Sequence, residues 1–209
     1  MNELAHSIVE KLLEMQAIKF NFKEPFVWTS GIKSPVYCDN RASLSNHELR
    51  TMISNAYTDI VRNNFPDVEV IAGVATGAIA QGALVADKLK LPFIYVREKR
   101  KEHGMKRIIE GNLEKGQKVV IIEDHISTGG SSLKAWDELV NAEADVLGMV
   151  AAFSYCFPET KERFEKNGYN LKTISTFLTI KDVALKEGFI TEDESIILEK
   201  WHENVVING

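Results

Sequence analysis

The chain of 209 residues holds two cysteines, five prolines and no apolar run approaching the length of a membrane span. Cys38 and Cys156 are too few, and too far apart in sequence, for a disulfide framework or a cysteine-rich metal site, so both are expected to be free thiols. Positive charge is in deficit, with 25 Lys and Arg against 30 Asp and Glu and a formal charge of −5, which excludes a broad nucleic-acid surface and confines any cationic cluster to one place. The first twenty residues lack a hydrophobic signal core; Ile8, Leu12 and Met15 instead share one face of an amphipathic helix, the reading expected of a cytoplasmic N-terminus. No Walker A sequence, no Gly-x-Gly-x-x-Gly, no internal repeat and no low-complexity linker occurs. The length suits one α/β domain over residues 1–209, two small domains being the less economical alternative.

What the chain does carry is the run Val119-Val120-Ile121-Ile122-Glu123-Asp124-His125-Ile126-Ser127-Thr128-Gly129-Gly130-Ser131. Four consecutive β-branched residues suit a strand buried on both faces. Leu133, Trp136, Leu139 and Val140 then recur at helical spacing, which puts Ser127 to Ser131 at a helix N-terminus, where free backbone N–H groups attract an anion. Ser127, Thr128 and Ser131 can donate to phosphate oxygens, while Gly129 and Gly130 let the backbone approach. Glu123 and Asp124 would repel a phosphate but can accept hydrogen bonds from adjacent sugar hydroxyls. An ordinary strand, turn and capped helix would use similar residues; the complete ordered set is what points to a phosphorylated sugar.

Elsewhere, Val68 to Ala72, Leu91 to Val96, Val146 to Phe153 and Leu171 to Leu178 read as strands, with a helix through Leu84 and Leu89 and further helices at Ile180 to Glu187 and Glu192 to Trp201, the last capped by Thr191. The alternation predicts an α/β fold with a mostly parallel central sheet flanked by helices. Ligands then bind outside the carboxyl ends of the strands, so the loop Gly73 to Ala78, with Thr76 and with backbone amides at Ala75 to Ala78 that could hold a diphosphate, should face the Glu123 to Ser131 loop. Close packing of helix on sheet would equally explain the small residues of that first loop. His6, His47 and His202 show no ligand spacing and are expected on the surface.

The one cationic cluster is Arg97, Lys99, Arg100, Lys101, Lys106 and Arg107, interrupted by Glu98 and Glu102 and holding His103 and Gly104. It follows a strand end on the presumed ligand side, and the segment of about residues 98–111 could serve as a lid over a diphosphate. Near the N-terminus, Trp28, Ser30-Gly31, Lys33-Ser34-Pro35, Tyr37 and Cys38 form an aromatic, Pro-bounded segment; a small structural β segment would look the same.

Together these segments resemble the orotate phosphoribosyltransferases, type I phosphoribosyltransferases whose loop motif is matched by Glu123 to Ser131 and whose lid is matched by Arg97, Lys101, His103 and Gly104. The resemblance covers nearly the whole chain. It implies a type I fold with a small N-terminal hood of about residues 1–45 plus C-terminal helices. It also implies a pentosyl transfer from phosphoribosyl pyrophosphate (PRPP) to N1 of orotate, yielding orotidine 5′-monophosphate and diphosphate in pyrimidine synthesis. On that resemblance PRPP is bound by Arg97, Lys99, Lys101, His103, Thr76 and the loop Glu123, Asp124, His125, Ile126, Ser127, Thr128, Gly129, Gly130 and Ser131. Orotate is met by Ser127, Lys33, Tyr37, Cys38 and Tyr155. Lys101, His103 and Asp124 are the catalytic candidates. Mg²⁺ is expected on the diphosphate, with no protein metal cluster, and a homodimer is expected in which each lid serves the neighbouring site; neither nucleic acid nor membrane is an expected partner.

Several positions depart from the family pattern. Glu98 stands where many members have a lysine, which gives neighbouring Lys99 the task of compensating; Thr29 stands where many place a lysine, and Tyr155 where some use an arginine for the orotate carboxylate. His125 replaces a usually apolar residue, and a packed or half-exposed histidine is the plainer reading of it than a catalytic one. Two alternatives stay open at this point: a transferase for purine bases, and a noncatalytic PRPP sensor that binds nucleic acid.

Overall fold

The computed structural model describes residues 2–28, 30–98 and 108–205. Helix α1 (Asn2–Glu14) precedes four short strands, β1 (Ile18–Phe20), β2 (Phe26–Val27), β3 (Lys33–Ser34) and β4 (Val36–Cys38), then a 3₁₀ turn (Asn40–Ser45) and α2 (His47–Asn64). There follow β5 (Val70–Val74), α3 (Ile79–Leu89), β6 (Phe93–Val96), β7 (Ile109–Glu110), β8 (Lys118–Ile126), α4 (Gly130–Asn141) and β9 (Asp145–Ser154). The chain continues through α5 (Pro158–Lys166), β10 (Leu171–Thr176), α6 (Phe177–Lys186) and α7 (Glu192–Asn204).

Six strands form one sheet in the order β10-β9-β8-β5-β6-β7, parallel except for β7, which runs against β6. The order reverses direction between β5 and β8: later strands add on one side of β8, and β6 on the far side of β5. Such a switch point leaves a crevice beyond the carboxyl ends of the two strands, because the loops leaving them turn to opposite faces.

The β-branched run of β8 is buried on both faces, as its sequence requires: Val119, Val120, Ile121 and Ile122 have no exposed surface. Val119 and Ile121 pack with Trp136 and Leu139 of α4, while Val120 and Ile122 pack with Ile53 and Tyr57 of α2. Each fully buried aliphatic side chain of this kind stabilises the fold by about 1.5–3 kcal/mol.

Strand β8 runs further than its apolar stretch, carrying Glu123, Asp124 and His125 in regular pairing as far as Ile126, opposite Ser154. The acids therefore sit on the sheet itself and inherit its rigidity. Strand β10 is shorter than the apolar pattern implies, because the Thr176 side chain accepts from Thr179 N and starts α6 at Phe177. Thr191 caps α7 as expected, and Glu194 completes a capping box with it.

Two small antiparallel pairs, β1 with β4 and β2 with β3, form the N-terminal layer. Its anchor is aromatic: Trp28 packs on Tyr155 with ring centroids 4.6 Å apart, and Trp201 of α7 donates its indole N–H to the Lys33 carbonyl at 2.8 Å. His202 is not a free surface residue. Its ring stacks on Phe177 at 4.3 Å and its Nε2 donates to the Tyr155 carbonyl at 2.6 Å, which ties α7 to the end of β9.

Candidate active site

A cleft of about 700 Å³ opens at the switch point, and its walls come from three parts of the chain. Ala75, Thr76 and Gly77 follow β5; Glu123, Asp124, His125 and Ser127 to Ser132 end β8 and begin α4; Trp28, Ser30 and Tyr37 to Arg41 come from the N-terminal layer, with Tyr155 beside them.

Successive residues of a strand face opposite sides of the sheet, and Glu123 and Asp124 are separated in this way. Glu123 is 3% exposed; its Oε2 accepts from Ser132 Oγ on α4 at 2.8 Å, and its Oε1 accepts from Asp124 N at 3.0 Å. Burial, reinforced by the neighbouring Asp124 charge, pushes its pKa well above the usual carboxylate range. Two groups pin the backbone here: the Tyr57 hydroxyl donates to the Glu123 carbonyl at 2.5 Å, and Asn40 Nδ2 donates to the Asp124 carbonyl at 2.9 Å.

Asp124 points toward the Thr76-Gly77 loop, where the Ala75 and Ala78 amides donate to the Val96 and Val74 carbonyls, so these two of the four amides expected to hold an anion are already engaged. Partial burial acts to raise its pKa, but the hydrogen bond and charge of His125 prevail and hold it below 3.8. His125 Nδ1 lies 3.1 Å from Asp124 Oδ1, and the imidazole is correspondingly held above its ordinary value against the opposing effect of burial. His125 is thus the ion-pair partner of the acid beside it.

Glycine is needed at two points of the cleft. A Cβ on Gly77 would stand 2.1 Å from Asp124 Oδ2, so the loop after β5 can approach β8 this closely only without a side chain. Gly129 has φ +79° and caps α4, and a Cβ there would also meet the Phe164 ring at 2.9 Å. No side chain caps α4, so the first-turn amides from Gly130 onward point into the cleft as donors for an anion. The Ser127 carbonyl is held by Thr160 Oγ1 at 2.9 Å, which fixes the loop on α5.

The expected base contacts fall into two groups. Tyr37, Cys38, Tyr155 and Ser127 line the cleft together. Cys38 is buried, its thiol donates to Asn40 Oδ1 at 3.4 Å, and burial with the charges of Asp124 and Asp39 keeps it protonated. Lys33 is exposed on β3 and is not part of the cleft wall.

Two expected PRPP residues also stand apart. Ile126 is a core residue, 1% exposed, whose carbonyl accepts from Tyr155 N. Arg97 lies at the end of β6, bonded through its own N–H to the Ile108 carbonyl and paired with Glu110 at 3.2 Å. Pairing of Glu110 with Tyr95 places the last residues of the stretch 98–111 in the sheet. Lys99, Lys101 and His103, like Thr29, lie outside the described residues.

Residues that pattern alone did not single out include Asn40 and Arg41. Arg41 Nε donates to Asp39 Oδ1 at 2.8 Å, and both line the cleft. No clear signal existed, since Asp and Asn are ordinary turn residues and the Asp39 side chain caps the 3₁₀ turn by accepting from Arg41 N. Glu98 also lines the cleft, and its carbonyl accepts from Lys134 Nζ of α4 at 2.6 Å.

The match to known proteins is close along the whole chain. Residues 40–187 match the phosphoribosyl transferase domain family. An orotate phosphoribosyltransferase of Phocaeicola vulgatus is 49% identical over 98% of this chain and 96% of its own. One from Streptococcus mutans is 48% identical over 96% of each. The solved structure of orotate phosphoribosyltransferase from Aeropyrum pernix, 26% identical, covers 88% of this chain and 99% of that one with a TM-score of 0.76. With its cleft at the sheet's switch point and relatives of this closeness over nearly their full length, the chain belongs to the orotate phosphoribosyltransferases of the phosphoribosyl transferase domain family.

Proposed function

We propose that the cleft binds PRPP and orotate and transfers the phosphoribosyl group to N1 of orotate, releasing diphosphate and orotidine 5′-monophosphate. One observation carries the reading: uncapped α4, the Thr76-Gly77 loop and the aromatic N-terminal layer converge on Asp124 in a single cleft. The 5′-phosphate takes the α4 amides with Ser127, Thr128 and Ser131. Asp124, held ionised by His125, accepts from a ribose hydroxyl. Glu123 supports it from behind, its oxygens engaged by Ser132 and the Asp124 amide. The base lies between the Tyr37, Cys38 and Tyr155 wall and Ser127.

Departure of diphosphate places positive character on the ribose and negative charge on the leaving group, so positioned charge does most of the work. Asp124 sits on the side where the cation develops. Lys101 and His103 stabilise the departing diphosphate, and Arg97, which is off the cleft wall of its own subunit, anchors it in the neighbouring one, roles that rest on the family resemblance. Among the described residues no three His, Cys, Asp or Glu side chains gather for a metal, and Asp124 Oδ1 is committed to His125. That donor set fits Mg²⁺ held chiefly by the substrate's diphosphate, where it supplies charge neutralisation. The active form is a dimer whose lids cross to the partner. No helix among the described residues is long and apolar enough to cross a membrane, and we place the enzyme in the cytoplasm.

The test is loss of orotate absorbance with PRPP and Mg²⁺, run beside a panel of purine bases and a nucleic-acid binding control. Turnover of a purine and not of orotate would overturn the base assignment.

A further inference from the structure

Gln81, in the first turn of α3, is 6% exposed, and neither its Nε2 nor its Oε1 has a hydrogen-bond partner among the described residues. A buried amide left in that condition loses its hydration for nothing, and a methionine would fill the same space without that loss. The side chain borders a small chamber of about 10 Å³ behind the cleft, shared with Asn40, Arg41, Tyr57, Gly77 and Asp124. A buried water needs about 10–15 Å³ and two to four polar partners. The Arg41 guanidinium disfavours a cation there; Leu44, Ile53 and Ala152 complete the walls, and it is the unpaired Gln81 amide that disfavours an apolar occupant.

Most polar groups around the chamber are already engaged. The Tyr57 hydroxyl is used on the Glu123 carbonyl, Asn40 on the Asp124 carbonyl and the Cys38 thiol, and Asp124 Oδ1 on His125. Of these groups only the Gln81 amide has no partner among the described residues; Asp124, whose side chain also meets that of Glu123, borders the chamber with its Oδ2 beside Gly77.

We propose that the chamber is the site of one buried water that accepts from Gln81 Nε2 and donates to Asp124 Oδ2, so that Gln81 is a positioning residue for the carboxylate facing the ribose. With Oδ1 held by His125 and Oδ2 by this water, the plane of the carboxylate is fixed before substrate arrives. The inference rests on the reading of Asp124 as a ribose contact.

Two measurements on the full chain test it. A high-resolution crystal structure of the unmodified protein should show an ordered water within hydrogen-bond distance of both the Gln81 amide and Asp124 Oδ2. A side chain filling the chamber, or no ordered water there, overturns the proposal. Gln81→Met should raise the KM for PRPP about tenfold, leave kcat within about twofold and leave Tm unchanged or higher. An unchanged KM in a folded variant also overturns it, and if that variant does not fold the crystal structure decides alone. Failure of the transfer reading looks different: the unmodified chain would turn over no orotate, with the water still in place.

Discussion

His125 Nδ1 stands 3.1 Å from Asp124 Oδ1 at the mouth of the cleft, and the two side chains shift each other's titration in opposite senses. The pair is fully charged above the ordinary carboxylate value of 3.8 and below the imidazole's ordinary 6.5. The His125 contribution to stability is present below pH 6.5 and is lost as pH rises through its raised pKa. That of Asp124 is present above pH 3.8 and is lost as pH falls through its lowered one.

The same pair shapes binding. As pH climbs past the raised imidazole pKa, the cleft loses a positive charge beside Asp124 and becomes less hospitable to a polyanion. The KM for PRPP should rise along that limb in the unmodified enzyme, while His125→Gln should flatten it at a KM about two- to fivefold higher near neutral pH. Identical pH profiles for the two proteins would remove His125 from any role in binding.

Glu123 titrates in the opposite sense from Asp124. Its folded pKa is raised by burial and by the Asp124 charge, so the folded state holds a proton that the unfolded chain releases near 4.5. Stability therefore falls as pH rises from 4.5 through the raised value. Glu123→Gln keeps an acceptor for the Asp124 amide and can donate to Ser132. It should raise Tm by about 2–4 °C at pH 8, with the gain shrinking toward pH 4.5. Thermal melts across that range check the sign; a Tm lower than that of the unmodified chain at pH 8 would refute it.

Gly77→Ala separates folding from function at the loop after β5. The added Cβ would lie 2.1 Å from Asp124 Oδ2, the far end of a side chain that can swing away more easily than backbone can move. The fold should survive with a loss of about 1 kcal/mol, while kcat/KM for PRPP falls at least about tenfold as the carboxylate is displaced. Circular dichroism with steady-state kinetics distinguishes this from simple unfolding.

Much of this arrangement could be read from residue order, and the exceptions have physical causes. The run Val119 to Ile122 announced its strand because β-branched residues buried on both faces have no other economical home. Its extension through Glu123, Asp124 and His125 was hidden, since carboxylates resemble loop residues until Ser132, Tyr57 and Asn40 are seen to satisfy that part of the chain. Thr191 and Glu194 are close enough in sequence to show the capping box, whereas Lys33 and Trp201, bonded across 168 positions, leave no local signature. His202 reads as a surface residue from sequence for the same reason: its partners Tyr155, Phe157 and Phe177 belong to other elements. Lys33 carried a plausible charge in a plausible segment, yet the short β2-β3 pair turns it outward.

Trp201→Phe tests the anchor of the N-terminal layer. The ring packing on Phe157 and Phe177 would largely remain, but the indole N–H to the Lys33 carbonyl would be lost. Stability should fall by about 1 kcal/mol. Because Trp28 and Tyr155 border the base side of the cleft, the KM for orotate should rise more than that for PRPP; an equal effect on both would argue that the anchor serves the whole cleft.

If each lid acts on the neighbouring subunit, as proposed, mixing two inactive variants has a calculable yield. In a two-fold dimer, a subunit carrying Lys101→Ala still offers an intact Asp124, and one carrying Asp124→Asn still offers an intact lid. Each variant alone is expected to be nearly inactive. A mixed dimer pairs one site lacking both functions with one site that has both. If subunits exchange at random from an equal mixture, half the dimers are mixed and each has one working site of two, so activity should recover to about a quarter of the unmodified level. The assay is orotate consumption after exchange has been verified by mass spectrometry of differently tagged subunits. Activity no higher than that of the separate variants would place each lid over its own subunit's cleft.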